Sequence, residues 1–261
     1  MTTQVLPLSP FHGMRELVWC VWLEGLRRKE FYAFFIVAFF FLLVALAIRL
    51  VGIENPSTAT FVLNLGLTYC GYAAHFMVII LAARGIPADI ENRTIYPILA
   101  KPVQRSTYIL GKWFASGLFG SVAMLGLFLL VWIPTPKLEE MSLLLLLQTL
   151  LLQSLSLFAL SALSLLGSLV LPQAVGFILV TIITFFGGKI SGLLNAQFPI
   201  GFLRPVHHLI PDFTVLNLWT RYTDGIDPVS PAVFLACLVY ALLLIGGCLG
   251  FSIALFDRRP L

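Results

Sequence analysis

The sequence predicts an all-α polytopic membrane protein with six transmembrane helices, and three observations carry that prediction. Composition is the first: 59% of the 261 residues are hydrophobic and 11% charged, against about 45–50% and 25% in a soluble domain. One globular core cannot hide such an excess. Second, the apolar residues fall in uninterrupted runs of about twenty, the length a helix needs to cross roughly 30 Å of hydrocarbon. Third, Lys and Arg concentrate in alternate separators, as they do in cytoplasmic loops.

Taken in order, the chain starts with Phe11, Met14, Leu17, Val18, Val21 and Trp22 at helical spacing, while Arg15, Glu16, Glu24, Arg27 and Arg28 fall mostly on other faces. This predicts an amphipathic helix over 11–29 lying in the inner membrane interface. A cap packed on other protein gives the same pattern, and the two can coexist. About thirty residues precede the first apolar run, unlike a cleavable signal peptide, so that span is expected to stay attached.

The six spans cover about 31–53, 59–83, 109–133, 142–171, 174–194 and 232–256, within a single transmembrane domain over 1–261. The separators "ENPST", "PTPKLEE" and "LPQ" contain proline, which ends helices. A long external segment from Lys189 to Pro231 joins the last two spans. It is too apolar for a solvated linker, and "FPIGFL" and "FTVLNLW" are expected to pack on the outer helix ends or dip into the bilayer. No charge-free run of twenty lies between Arg204 and Pro231, so no seventh span is predicted.

With the N-terminus inside, eleven of the sixteen Lys and Arg residues lie on the inner side and five outside. Both termini are therefore expected to be cytoplasmic. Arg49, about one turn from the outer end of the first run, is expected to snorkel to the headgroups. The net charge of +4 thus describes topology and does not point to nucleic acid.

The motifs exclude more than they assign. Gly111 and Gly188 open the two GK pairs, but neither pair is followed by Ser or Thr, and Ser106 and Ile183 stand where a phosphate loop needs its first glycine. ATP chemistry would have to come from another chain. The four cysteines, Cys20, Cys70, Cys237 and Cys248, form no CxxC pair. His12, His75, His207 and His208 form no HExxH, so no metal site is predicted. Glu139 and Glu140 are similar to the paired glutamates of CAAX-type intramembrane proteases, yet Leu144 stands where an arginine is expected. No catalytic residue emerges.

Within the spans, His75 is the most polar side chain of the second run, and Ser154, Ser161, Ser164 and Ser168 form a seam along the fourth. An intramembrane histidine is a functional candidate by position, and the plainer reading is a bond to a neighbouring helix. Small-residue seams commonly let helices approach; His75, Ser154, Ser161 and Ser168 could instead line a substrate path.

The polar interval between the second and third spans is "ARGIPADIENRTIYPILAKPVQRSTYILGKW". Pro87 suits the first turn of a helix, with Asp89 and Glu91 near its positive end. Ile90, Ile95, Ile98 and Leu99 alternate with polar residues before Pro97 and Pro102 break the chain. Residues alone leave a docking element and a solvated connector equally open.

This stretch closely resembles the cytoplasmic loop of ABC-2 family transporter permeases, which show an acidic "EIE-x-GTI" element, then "LL-x-KPVSR", then a "GK" opening the next span. Asp89, Ile90, Glu91, Thr94, Ile95, Leu99, Lys101, Pro102, Val103, Arg105, Gly111 and Lys112 occupy matching positions. Arg93 stands where glycine is common, and Pro97 interrupts the element. "HHLIPDFTVLNLW" also looks like a stretch in the NosY-like permeases of that family. The resemblance implies the permease subunit of an ATP-binding cassette exporter, with a cytoplasmic coupling helix between spans 2 and 3. Asp89, Ile90, Glu91, Arg93, Thr94, Ile95, Leu99, Lys101, Pro102 and Arg105 would dock a separate soluble ATPase subunit. That partner would hold the ATP and Mg, with no cofactor in this chain. A second permease copy or a similar permease would complete the complex in the inner (plasma) membrane of a bacterium. Two other classes stay open: a non-transporting scaffold or a transmitter of motion to an external partner, and, third, an intramembrane enzyme.

Overall fold

A computed structural model describes residues 10–50, 56–93, 105–132, 142–197 and 211–258. In order they form α1 (Pro10–Arg27), α2 (Lys29–Leu50), α3 (Pro56–Glu91), α4 (Arg105–Trp132), α5 (Leu143–Val170) and α6 (Gln173–Gln197). A 3-10 turn (Phe213–Leu216), α7 (Trp219–Thr223) and α8 (Pro231–Asp257) follow. No strand occurs among the described residues.

Among the described residues four helices are long and apolar enough to cross a membrane: Thr60–Glu91, Arg105–Trp132, Leu143–Val170 and Pro231–Asp257. They carry the second, third, fourth and sixth expected spans. The first and fifth fall on α2 and α6, and "PTPKLEE" lies outside the described residues. Local chemistry sets several ends. Ser142 caps α5 by accepting from the Leu145 N–H, and Pro231 starts α8 at the first turn, where its missing N–H costs nothing.

Three helices, α3, α4 and α5, make the centre, with α2 against α3 and α4, α6 against α5 and α3, and α8 chiefly along α5. Their packing is close because glycine faces bulk. A Cβ on Gly120 of α4 would collide with the Val78 side chain of α3, and one on Gly117 with the Phe158 ring of α5. Removing a side chain in this way lets backbones approach where no water is available to drive association.

Helix α1 is not free. Val21 is buried and Trp22 sets its ring edge-on against Phe119 of α4, centroids 5.9 Å apart, while Trp19 is 60% exposed on another face. The amphipathic helix is therefore packed on protein along one side. It ends at Arg28, a one-residue break where the Arg28 N–H turns to the Gly25 carbonyl.

One expectation is corrected. Pro87 does not start a helix: it lies inside α3, which runs unbroken to Glu91. An interior proline removes a backbone bond and costs about 3 kcal/mol in an isolated helix. Here Ile86, fully buried, and Ile90 pack into the core on either side of it, which outweighs the local penalty. Asp89 and Glu91 consequently sit at the negative C-terminal end of a helix, not at its positive start. Any helix over the later part of the interval lies outside the described residues.

The long segment between α6 and α8 behaves as composition suggests where it is described. Phe213, Leu216, Trp219 and Tyr222 are buried, Trp219 stacking on Phe128 of α4 at 5.6 Å. "FPIGFL" falls outside the described residues.

Candidate functional site

At the end of the bundle where α3 finishes and α4 begins, the interval's charged residues are sorted into two groups. Asp89 is turned inward. Its Oδ2 lies 2.8 Å from the Lys112 Nζ and accepts the Tyr108 hydroxyl at 2.5 Å. Lys112 is only 7% exposed and has the Gly85 carbonyl at 3.5 Å. A carboxylate near a helix C-terminus faces unfavourable backbone partial charges, and a buried lysine needs a counter-ion. Each answers the other's need, which clamps α3 to α4.

The clamp extends to the last helix. The Tyr108 ring stacks on Phe256 of α8 at 5.7 Å. One turn earlier, Arg105 donates to the carbonyls of Phe256 and Asp257 at 3.3 and 3.2 Å. A cation at the C-terminal carbonyls of α8 satisfies orphan acceptors and complements the helix dipole. Arg105 is thus a tie between α4 and α8.

Glu91 and Arg93 form the second group, both exposed, while Ile90 is partly buried. Arg93 has φ +56°, the left-handed conformation that glycine adopts without cost, and its N–H closes the end of α3 onto the Ile90 carbonyl. It occupies the place where the resembled motif commonly has glycine. Thr94, Ile95, Pro97, Leu99, Lys101 and Pro102 lie outside the described residues.

A second polar cluster sits inside the bundle around His75. The His75 Nδ1 is 2.7 Å from the Gly71 carbonyl and Nε2 is 3.1 Å from the Ser156 hydroxyl. A neutral ring satisfies both by donating from Nδ1 and accepting at Nε2. Gln153 lies beside the same ring at 3.5 Å, and Phe213 of the segment between α6 and α8 meets that ring edge-on. Sequence reasoning missed Gln153 and Ser156; a glutamine in an otherwise oily run was the available signal.

Of the serine seam, Ser161 alone has a bond to a neighbouring helix among the described contacts. Ser161 donates to the Trp113 carbonyl at 3.0 Å and meets Ser116 at 2.6 Å across the α4–α5 interface. Ser168 bonds back to Leu165, and Ser154 is only partly buried.

The segment between α6 and α8 is fastened by side chains. Gln148 of α5 makes two bonds to the Val229 backbone, donating at 3.1 Å and accepting at 3.0 Å. Trp132 donates to the Tyr222 hydroxyl at 2.9 Å. Burial raises the Tyr222 phenol above its ordinary value, and the indole bond pulls the other way.

No family model matches the chain, and no curated protein matches it significantly.

Proposed function

We propose that this chain is the permease subunit of an ATP-binding cassette exporter. In this reading it has six spans, both termini in the cytoplasm, and works in a bacterial inner membrane beside a second permease copy or a similar permease. A separate soluble ATPase binds and hydrolyses ATP with Mg; no residue of this chain is catalytic. The observation that carries the reading is the interval between α3 and α4, which has the order of the ABC-2 coupling loop and whose described part ends in two exposed charges above a buried clamp.

The geometry also divides the labour. Glu91 and Arg93, being exposed, suit contact with the ATPase, whereas Asp89 and Arg105 suit transmission, tying the loop to α4 and α8. Gly246, Gly247 and Gly250 on α8 leave open space where a Cβ would lie, which supports close approach of a helix from another permease.

Co-purification with the candidate ATPase after Glu91→Arg tests the docking role. Charge reversal at this exposed position should weaken the complex and lower ATP turnover while leaving the fold intact. Unchanged complex and unchanged turnover would sink the reading.

A second reading, transmission of ATPase-driven motion to an external partner, is favoured by the fastening of the outer segment to α4 and α5 through Trp132 and Gln148. Measuring substrate flux and partner capture after altering 213–218 separates the two. Lost capture with intact flux supports export.

A further inference from the structure

We propose that a single water molecule is bound inside the bundle between Gly71 of α3, Gln153 of α5 and Trp219 of α7, keying the segment between α6 and α8 to the helices. The inference goes beyond the transport reading and does not depend on it.

Two buried polar atoms point to the site. The Trp219 Nε1 and the Gln153 Oε1 have no hydrogen-bond partner among the described residues, and both side chains are only 1% exposed. A buried donor or acceptor left unpaired costs its whole desolvation, and here there is one of each. They belong to the same place. The spot that a Cβ on Gly71 would take lies 3.3 Å from the Trp219 Nε1 and 3.5 Å from the Gln153 Nε2. Glycine is a poor residue for a helix interior, yet at position 71 it leaves bare the side of α3 on which both groups converge.

The chemistry of the two groups selects the occupant. An indole N–H repels a cation and an amide oxygen repels an anion. A neutral hydroxyl satisfies both, accepting from Trp219 and donating to Gln153. His75 cannot take its place. Its Nδ1 proton goes to the Gly71 carbonyl at 2.7 Å and its Nε2 accepts from Ser156 at 3.1 Å, so Nδ1 has no lone pair for the Gln153 amide nitrogen 3.5 Å away. Reversing that amide changes only the water's role, which becomes acceptor from both nitrogens.

Aromatic rings enclose the neighbourhood. Phe128 stacks on Trp219 at 5.6 Å, and Phe213 and Phe185 flank His75 at 6.4 and 6.5 Å. Groups so enclosed are served by an ordered water and not by bulk solvent. In a low-dielectric interior its bonds are stronger than in water, and they join three elements distant in sequence.

The test compares Gly71→Ser with Gly71→Ala in the full chain in detergent. Alanine puts an inert methyl at the site, whereas serine brings a hydroxyl in the water's stead. The serine variant should unfold about 2–4 °C higher, the value of one recovered hydrogen bond in a chain of this size, against the order that helix propensity sets. In a Gln153→Leu background that advantage should vanish. Gly246 is the control, since a Cβ there meets nothing within 4 Å, and its alanine variant should be the more stable of the two. The unsubstituted chain offers a second measurement. Among the five tryptophan indole N–H signals, that of Trp219, recognised by its contact with the Phe128 ring, should show a cross-peak to water in nuclear magnetic resonance. Alanine at 71 as stable as serine, or a Trp219 signal without the water cross-peak, would overturn the proposal; a direct Trp219–Gln153 bond gives both of those results.

Discussion

Replacing Lys112 by methionine is the sharpest probe of how α3 is held to α4. The side chain keeps its length and apolar stem but loses the ammonium that lies 2.8 Å from the Asp89 carboxylate. At an effective dielectric of about 20, two unit charges at that distance attract by about 6 kcal/mol. Desolvating both ions costs several kcal/mol each, so the net value of the pair is far smaller than the attraction. The loss of one partner is different, because it strands the other. For a buried pair that costs about 3–5 kcal/mol. Asp89 keeps the Tyr108 bond and a side-chain exposure of 19%, which places Lys112→Met near 3 kcal/mol. Asp89→Asn should cost at least as much, since it leaves Lys112, 7% exposed, without a counter-ion. Combining the two removes both charges and should recover about half of the summed loss, giving a coupling energy of roughly 3 kcal/mol in a double-mutant cycle. Equilibrium unfolding of the four proteins in one detergent measures it. A coupling below about 0.5 kcal/mol, the value of a screened surface pair, would refute the clamp.

Three further outcomes follow from single contacts. Arg93→Gly should stabilise the chain by about 0.5–1 kcal/mol, because φ +56° strains a residue with a Cβ; Arg93→Val, β-branched, should destabilise it, and thermal shift reads both. Gly120→Ala should cost about 1–3 kcal/mol through collision with Val78, and adding Val78→Ala should restore most of it in the same unfolding assay. Gln148→Leu should cost about 2–4 kcal/mol by orphaning the Val229 N–H and carbonyl, and hydrogen exchange at Val229 should accelerate while α3 and α4 stay protected.

Much of the helical layout was legible because its causes are local. Runs of apolar residues, prolines between them and a serine before α5 act within a few residues of where they stand, so the ends of α5 and α8 fall close to the expected boundaries. Pro87 misled for the same reason. As a local signal it marks a helix start, and only the burial of Ile86 and the packing of Ile90 kept α3 continuous through it.

The candidate site was legible as a stretch of chain but not as an arrangement. Asp89 and Arg105 were visible as charges in a polar interval; that Asp89 turns to Lys112 and Arg105 reaches the carbonyls ending α8 could not be read from spacing. Lys112 itself offered a hint, a cation just inside an apolar run. His75 was conspicuous, whereas its partner Ser156 was one serine among many, chosen by the register between α3 and α5.

The sequence by itself determined that this protein is helical and oily beyond what one core can bury, with its cations gathered in particular separators, because composition and hydrophobic run length act without reference to any fold. Tertiary structure alone decided which charges are spent internally and which remain exposed at the end of α3. Residues tens of positions apart share a low-dielectric interior only after the helices have packed, and there an unpaired ion is too costly to leave without a partner.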